Sequence, residues 1–314
     1  MKQVFLLLLF STFVFSQKTT QSFDSNTLGE SREITIGLPE SYDKNPTKRY
    51  PILILLDGDY LFDPFSGALN YGAYWDDLPE IIIVGISQNK KEERIDDSNY
   101  DLSNGLPSEK GAKFFEFIGG ELLPHLEKKY RTAPFRIIAG HDTTAGYLNF
   151  FLYKDNPIFN AYISLSPELA PEMENRIPAK LSNLKQAVFY YQSTADGDVK
   201  KLREPIKTLD NNMKLVTNPL VNYKFDNFKD PMFMSSFCTV LLRRSVTPHS
   251  LKRLPSIRQP TSGAADGTKS ATKMVTTNGK MIFSVLDTLR SSFISIIRSF
   301  LVVKSFIIGG WITG

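Results

Sequence analysis

Short runs of consecutive apolar residues recur along the chain and constrain its fold more strongly than any other feature. Residues 50–56 form such a run, which ends at Asp57, and residues 80–86 form a second one, which is apolar from Ile81 onward. A strand that is apolar on both faces has to be covered on both faces, as strands in a parallel sheet are. Further strands are predicted at residues 32–38, 135–139, 159–165, 187–191 and 220–225.

The segments between these strands carry apolar residues at helical spacing. Phe114, Ile118, Leu122 and Leu126 follow one another at intervals of four residues, and Pro124 is predicted to kink or end this helix. Further helices are predicted at residues 147–152 and 199–213. Strands that alternate with helices predict an α/β fold, in which a mostly parallel sheet has helices on both faces.

The composition of the chain changes near residue 230. Residues 1–230 carry 26 Lys and Arg against 31 Asp and Glu, a net charge of −5, whereas residues 231–314 carry 11 against 2, a net charge of +9. The formal net charge of +4 is therefore the sum of two unlike parts, and it predicts no binding to nucleic acid. We divide the chain into a signal peptide (1–16), a main domain (17–230) and a basic tail (231–314).

The N-terminal residues predict export. Lys2 supplies a positive charge, residues 4–15 supply an apolar core, and the predicted mature chain starts at Gln17. This pattern is typical of a cleaved secretory signal peptide, with an uncleaved membrane anchor as the alternative. The single cysteine, Cys238, excludes an internal disulfide framework. We expect an exported protein that is periplasmic or secreted after cleavage.

The basic tail has two parts. Residues 259–280 are rich in Ser, Thr, Gly and Lys and predict a flexible linker. Residues 281–314 are apolar with interspersed bases, and their spacing predicts an amphipathic helix that could contact a membrane surface. A genuine basic module and a tail without a selected function are the alternatives to our hypothesis for the whole tail, which is that it was introduced by a frameshift, fusion or assembly error. Translation of the coding DNA in the other frames tests this hypothesis.

The chain offers little for binding a metal or another cofactor. It has three histidines, too few for a multi-histidine metal site beside other roles. The spacing of the acids between the first two apolar runs matches no calcium loop, and we interpret these acids as solvated loop residues. They are Asp57, Asp59, Asp63, Asp76 and Asp77. We expect no metal and no cofactor.

The most informative junction follows the predicted strand at residues 135–139. Gly140 permits a sharp turn, His141 and Asp142 follow, and a helix is predicted next. In such a junction the residue two positions after the glycine is presented at the edge of the sheet, where hydrolases place a nucleophile. Here that residue is Asp142, and Thr144 stands in place of the second glycine. Asp142 has an alternative role as a helix cap, stabilised by free amides and the helix dipole.

Four further segments occur in an order and spacing that are typical of one family. They are residues 50–59 (YPILILLDGD), 94–97 (RIDD), 121–132 (ELLPHLEKKYRT) and 164–167 (SLSP). Together, residues 31–229 resemble the esterase family of α/β-hydrolases that includes enterochelin esterases and S-formylglutathione hydrolase-like enzymes. The resemblance implies an α/β-hydrolase fold and a small-molecule ester as the substrate.

The resemblance also implies roles for particular acids. It puts Asp142 in the position of the family's serine nucleophile. The acid that orients the catalytic histidine would be Asp196 or Asp198, which follow the strand at residues 187–191. Both have an alternative role in an ordinary turn and helix cap.

The family's catalytic histidine follows the last strand, and residues 226–234 contain no histidine. His249 is the next one along the chain and would serve as the base if the basic tail folds back. His125 lies within a predicted helix, and His141 belongs to the elbow, where such a residue commonly packs and orients the turn.

Residues 57–60 are interpreted as part of the pocket. Gly58, Asp59 and Tyr60 would supply oxyanion-hole amides, because Gly58 permits close approach of the backbone to a substrate. Thr143 follows the nucleophile position and is assigned to the same pocket. A tight turn without a ligand is the alternative.

The sequence therefore predicts an exported esterase-like hydrolase of a carboxylic ester, with two alternatives. In one, Asp142 is itself the nucleophile and forms an alkyl-enzyme ester, which a histidine-activated water then cleaves. In the other, the chain is a ligand-binding protein that keeps the pocket of the fold without turnover.

Overall fold

The computed structural model describes residues 18–229, except residues 89 and 91. The predicted signal peptide, the basic tail and His249 lie outside these residues.

One mixed sheet organises the described residues. Its strands are β1 (Lys18–Ser25), β2 (Glu30–Gly37), β3 (Tyr50–Leu55), β4 (Ile82–Ile86), β5 (Thr132–His141), β6 (Ala161–Leu165), β7 (Val188–Ala195) and β8 (Val221–Phe228). Their order across the sheet is β1-β2-β4-β3-β5-β6-β7-β8. The β1–β2 and β2–β4 pairs are antiparallel, and the pairs from β4–β3 to β7–β8 are parallel.

Helices connect most of the strands. They are α1 (Gly58–Tyr74), α2 (Glu93–Ser98), α3 (Glu109–Glu116), α4 (Leu123–Lys129), α5 (Thr143–Tyr147), α6 (Met173–Ser182) and α7 (Lys200–Met213), with a π-helical segment at Phe117–Leu122 and a 3₁₀-helix at Leu148–Tyr153. Within the described ranges, none of the helices has both the length and the apolar character that crossing a membrane requires.

Helices cover both faces of the sheet. In β3, the side chains of Leu53 and Leu55 pack in one apolar core with Phe62 and its neighbours on α1. Ile52 and Ile54 point to the opposite face, into a second core built with α3, α4, α6 and α7. Burial on both faces explains the continuous apolar run. The predicted α/β architecture with a mostly parallel sheet is confirmed.

The edge strand β1 has no counterpart in the sequence prediction. Its residues (KTTQSFDS) are mostly polar and exposed, and it pairs with β2 at the end of the sheet. An edge strand needs no continuous apolar run, because water covers much of its surface.

The prediction of a tight turn over residues 57–60 is wrong. Asp57 alone makes the turn, in a left-handed conformation (φ 56°, ψ 39°), and Gly58, Asp59 and Tyr60 form the first turn of α1. A Cβ atom at Gly58 would lie 2.6 Å from the carbonyl carbon of Gly85. Gly58 therefore permits close packing of α1 on β4. Asp63, interpreted above as a loop acid, also lies on α1.

The helix at residues 109–129 does not end at Pro124. Its middle is the π-helical segment, in which the N–H of Leu123 donates to the carbonyl of Ile118. Pro124 then lies in the first turn of α4. A proline lacks an N–H, and a wider turn just before it accommodates that loss without breaking the helix.

The carboxyl ends of the parallel strands meet at one edge of the sheet. Asp57 follows β3, Gln88 follows β4, Asp142 follows β5, Ser166 follows β6 and Asp196 follows β7. Ligands of α/β sheets bind at this edge.

Candidate active site

The junction between β5 and α5 has the geometry of a nucleophile elbow. Asp142 adopts φ 59° and ψ −118°, a conformation that costs a non-glycine residue on the order of 1–3 kcal/mol and that persists only where the surroundings enforce it. Its N–H donates to the carbonyl of Leu165, and its carbonyl accepts from the N–H groups of Gly146 and Glu168. The backbone of Asp142 is therefore held on both sides.

Two glycines let this elbow pack closely. A Cβ atom at Gly140 would lie 2.8 Å from Thr144 Oγ1, and one at Gly146 would lie 1.8 Å from the carbonyl oxygen of Glu168. Thr144, which replaces the second glycine of the hydrolase pattern, is fully buried. Its hydroxyl accepts from the N–H of His141 over 3.0 Å and donates to Asp57 Oδ2 over 2.5 Å.

The carboxylate of Asp142 is not a helix cap. It occupies the N-cap position of α5, but its side chain makes no capping hydrogen bond. The side chain is 36% exposed, and its ion-pair partner among the described residues is Arg94, with Nη1 3.6 Å from Oδ2. The capping alternative is therefore not supported, and the carboxylate is available to a ligand.

Arg94 is held beside Asp142 by a buried carboxylate. Its Nε donates to Asp57 Oδ1 over 2.6 Å, and its Nη2 donates to the carbonyl of His141 over 2.8 Å. Burial lowers the pKa of Arg94, but the hydrogen bond and the charge of Asp57 outweigh burial and raise the pKa above its ordinary value. Arg94 thus supplies a permanent positive charge.

Tyr60 links Asp57 to His141. Its hydroxyl donates to Asp57 Oδ2 over 3.0 Å and lies 3.2 Å from His141 Nδ1. Burial and the nearby Asp57 raise the pKa of Tyr60, so its hydroxyl stays protonated. Burial lowers the pKa of His141, which leaves the imidazole neutral near neutral pH.

Asp59 and Thr143 are the two remaining residues of the predicted pocket. Asp59 accepts from Ser87 Oγ and from the N–H of Gln88, and so ties α1 to the end of β4. The hydroxyl of Thr143 is buried and has no hydrogen-bond partner within the described ranges.

The two acids after β7 differ in their contacts. Asp198 Oδ2 accepts from Thr194 Oγ1 and from the N–H of Ala195, both over 2.8 Å, as a turn-capping carboxylate does. Asp196 is exposed and accepts from Asn227 Nδ2 over 3.2 Å.

Two contributors to the site were not predicted as site residues, Arg94 and Thr144. Arg94 lies in one of the segments that carry the family resemblance, which was the available signal. Among the residues that the structure describes, no group of three or more His, Cys, Asp or Glu side chains is arranged to hold a metal ion.

The mostly parallel sheet, the helices on both faces and the elbow after β5 define an α/β-hydrolase fold. Within that class the chain belongs to the esterase family, because residues 25–214 match the family model described as "Putative esterase". The family resemblance inferred from the sequence is confirmed.

Solved structures share this fold. The chain is similar to an uncharacterised protein from Capnocytophaga ochracea (26% identity, TM-score 0.63; 68% of this chain and 58% of that chain covered). It thus spans less than two thirds of that protein's length. It is also similar to an IroE-like serine hydrolase from Shewanella oneidensis (21%, TM-score 0.62; 72% and 78% covered) and to the siderophore hydrolase EstB from Aspergillus nidulans (17%, TM-score 0.55; 74% and 95% covered). No curated protein matches the chain.

Proposed function

We propose that the chain hydrolyses a small-molecule ester with the carboxylate of Asp142 as the nucleophile. One observation carries the proposal: Asp142 has the backbone conformation of a nucleophile elbow, and its carboxylate does not cap the helix but stays partly exposed at the edge of the sheet. Membership of the esterase family supports hydrolysis as the reaction class. The name of the siderophore hydrolase supports a small-molecule ester as the substrate.

The chemistry of a carboxylate favours attack on the alkyl carbon of the ester. Attack on the acyl carbon would give an intermediate that expels the Asp142 carboxylate far more readily than an alkoxide. Attack on the alkyl carbon instead breaks the bond between this carbon and the ester oxygen. The substrate's carboxylate leaves with the bonding electrons, and Asp142 becomes an alkyl ester. No proton moves in this step.

Arg94 suits this step because the negative charge moves only a short way. The charge starts on Asp142 and ends on the leaving carboxylate. A guanidinium fixed beside Asp142 by Asp57 can face both anions, and a preorganised charge stabilises the transition state without reorganisation.

The same ion pair favours a second candidate, a ligand-binding protein without turnover. A carboxylate paired with Arg94 is less nucleophilic, and a polar ligand could bind to this pair without reacting.

Benzyl acetate separates the two candidates, because its benzylic carbon is activated towards nucleophiles. We expect the purified chain to release benzyl alcohol, and Asp142→Asn to release it at the background rate. Asp155→Asn is the matched control. Asp155 lies in the loop that leads into β6, is 92% exposed and pairs with Lys180. Background rates in the unmutated chain, together with retained binding of the ester, would favour the binding protein.

We also propose that the chain is exported and consists of a hydrolase domain and a basic tail. The pattern of residues 1–16 supports export to the periplasm or the outside of the cell. Residues 17–230 would be the hydrolase domain, and residues 231–314 a basic tail that contacts a membrane surface.

A further inference from the structure

We propose that His141 is the base that activates water in the second half of the reaction, held in place by Tyr60 and Asp57. This inference rests on the proposed function, in which Asp142 carries the alkyl group between the two halves. His141 lies within the described residues, whereas the family's histidine after the last strand has no counterpart at residues 226–229.

The hydrogen bonds around Asp57 assign the proton on Tyr60. The Asp57 carboxylate only accepts hydrogen bonds, and it is the stronger acceptor because it is charged. Tyr60 has a single hydroxyl proton, which it donates to Asp57 Oδ2. The oxygen of Tyr60 is then left to accept a hydrogen bond.

The position of Tyr60 in turn assigns the proton on His141. Nδ1 lies 3.2 Å from the hydroxyl oxygen, so Nδ1 carries the proton and donates it to Tyr60. In a neutral imidazole the other nitrogen, Nε2, then has the lone pair. Within residues 18–229 as described, no side chain or backbone group forms a hydrogen bond with Nε2, which is therefore available to water.

The charges that face His141 come from four of the surrounding segments. They are Asp142 at the elbow, Asp57 after β3, Arg94 on α2 and Asp198 after β7, with the uncharged Tyr60 on α1. The three acids favour the imidazolium that forms when His141 takes a proton, and Arg94 opposes it. Burial of the ring has the largest effect and lowers the pKa of His141, so the resting imidazole is a free base.

In the second step, water hydrolyses the alkyl ester of Asp142. Nε2 takes a proton from water, and the resulting hydroxide attacks Cγ of the Asp142 ester. The tetrahedral intermediate expels the alkyl oxygen, which takes the proton from Nε2 and leaves as the alcohol. Asp142 is left as a carboxylic acid with one oxygen from water, and it loses its proton to bulk water to restore the carboxylate.

His141→Gln tests this role in the full chain with benzyl acetate as the probe. The first step needs no base, so Asp142 should still be benzylated, while the second step should slow by at least roughly 100-fold. We expect mass spectrometry to find a benzyl adduct on the peptide that contains Asp142 in this variant, and little adduct in the unmutated chain. His125→Gln is the matched control, because His125 packs edge-on against Phe23 from α4 and is not part of the site.

Tyr60→Phe is a second variant that keeps the ring and removes only the hydroxyl. We expect kcat for release of benzyl alcohol to fall about 10-fold with kcat/KM unchanged, because only the second step is slowed, and the adduct to be detectable again. An unchanged rate and no adduct in both His141→Gln and Tyr60→Phe would overturn the role of His141 and leave the proposed function standing. Absence of adduct and of Asp142-dependent turnover in every protein, the unmutated chain included, would instead overturn the proposed function.

Discussion

Arg94 donates a hydrogen bond of 2.6 Å from Nε to Oδ1 of Asp57, a carboxylate that is 1% exposed. The opposite side of the same guanidinium lies 3.6 Å from Asp142. A buried acid thus fixes a cation beside the nucleophile position. The two acids lie 85 residues apart in the sequence and meet because β3 and β5 are neighbours in the sheet.

Asp57→Asn should destabilise the fold and weaken the site together. Asp57 is buried, and loss of its charge leaves Arg94 with only the longer contact to Asp142, which costs about 3 kcal/mol in the free energy of unfolding. Urea denaturation measures this loss, and Asp155→Asn, at an exposed ion pair, should change the free energy little. Equal stability of the two variants would contradict the role of Asp57.

Gly146→Ala should destabilise the elbow. Its Cβ would lie 1.8 Å from the carbonyl oxygen of Glu168, and overpacking of this kind costs about 2 kcal/mol or more. Gly67→Ala is the matched substitution on the exposed side of α1, where a Cβ would meet nothing within 4 Å. It should stabilise the chain by about 0.5–1 kcal/mol, because alanine favours the helix. Thermal unfolding measures the Tm of both variants, and shifts of Tm in the same direction would contradict this packing.

Turnover should depend on pH through His141. The imidazole has to be neutral to accept a proton, so the rate should fall as the pH drops through the pKa of His141. Burial lowers that pKa below the ordinary value of 6.5, so the half-maximal rate should lie at a pH below 6.5. A pH profile for release of benzyl alcohol measures it. A half-maximal rate above 6.5 would show that another group controls the reaction.

The folded state should also lose stability in mildly acidic solution. The unfolded chain binds a proton at His141 more readily than the folded chain, because the pKa is lowered on folding. The contribution of His141 to stability is therefore present above 6.5 and is lost as the pH falls towards the lowered pKa. Urea denaturation at several pH values measures the free energy of unfolding of the unmutated chain and of His141→Gln, and the difference between the two isolates this contribution. A difference that does not vary with pH would contradict it.

Much of the sheet could be predicted because its strands are buried on both faces. The runs at residues 50–56 and 135–139 correspond to β3 and β5, which lie at the centre of the sheet. The polar strand β1 carries no such run. Asp57, Gly58 and Asp59 are residue types typical of turns, so the sequence predicts a turn where α1 begins.

The site could be predicted only in part. The elbow is local, since Gly140 and Asp142 lie within three residues, and the sequence identified it. The Arg94–Asp57 pair and the Tyr60–His141 contact join residues 37 and 81 positions apart, and hydrophobic periodicity carries no information about such pairs. Whether Asp196, Asp198 and His249 take part in catalysis stays a prediction.

The central claim is that Asp142 is alkylated during the reaction, and a single turnover in water enriched in the heavy oxygen isotope tests it most directly. The purified chain, in excess over benzyl acetate, is allowed to react once, and both the peptide that contains Asp142 and the released acetate are analysed by mass spectrometry. We predict that the heavy oxygen appears in Asp142 and not in acetate, because water attacks Cγ of the alkylated residue. Heavy oxygen in acetate, with Asp142 unlabelled, would show that water attacks the acyl carbon directly and would contradict the account.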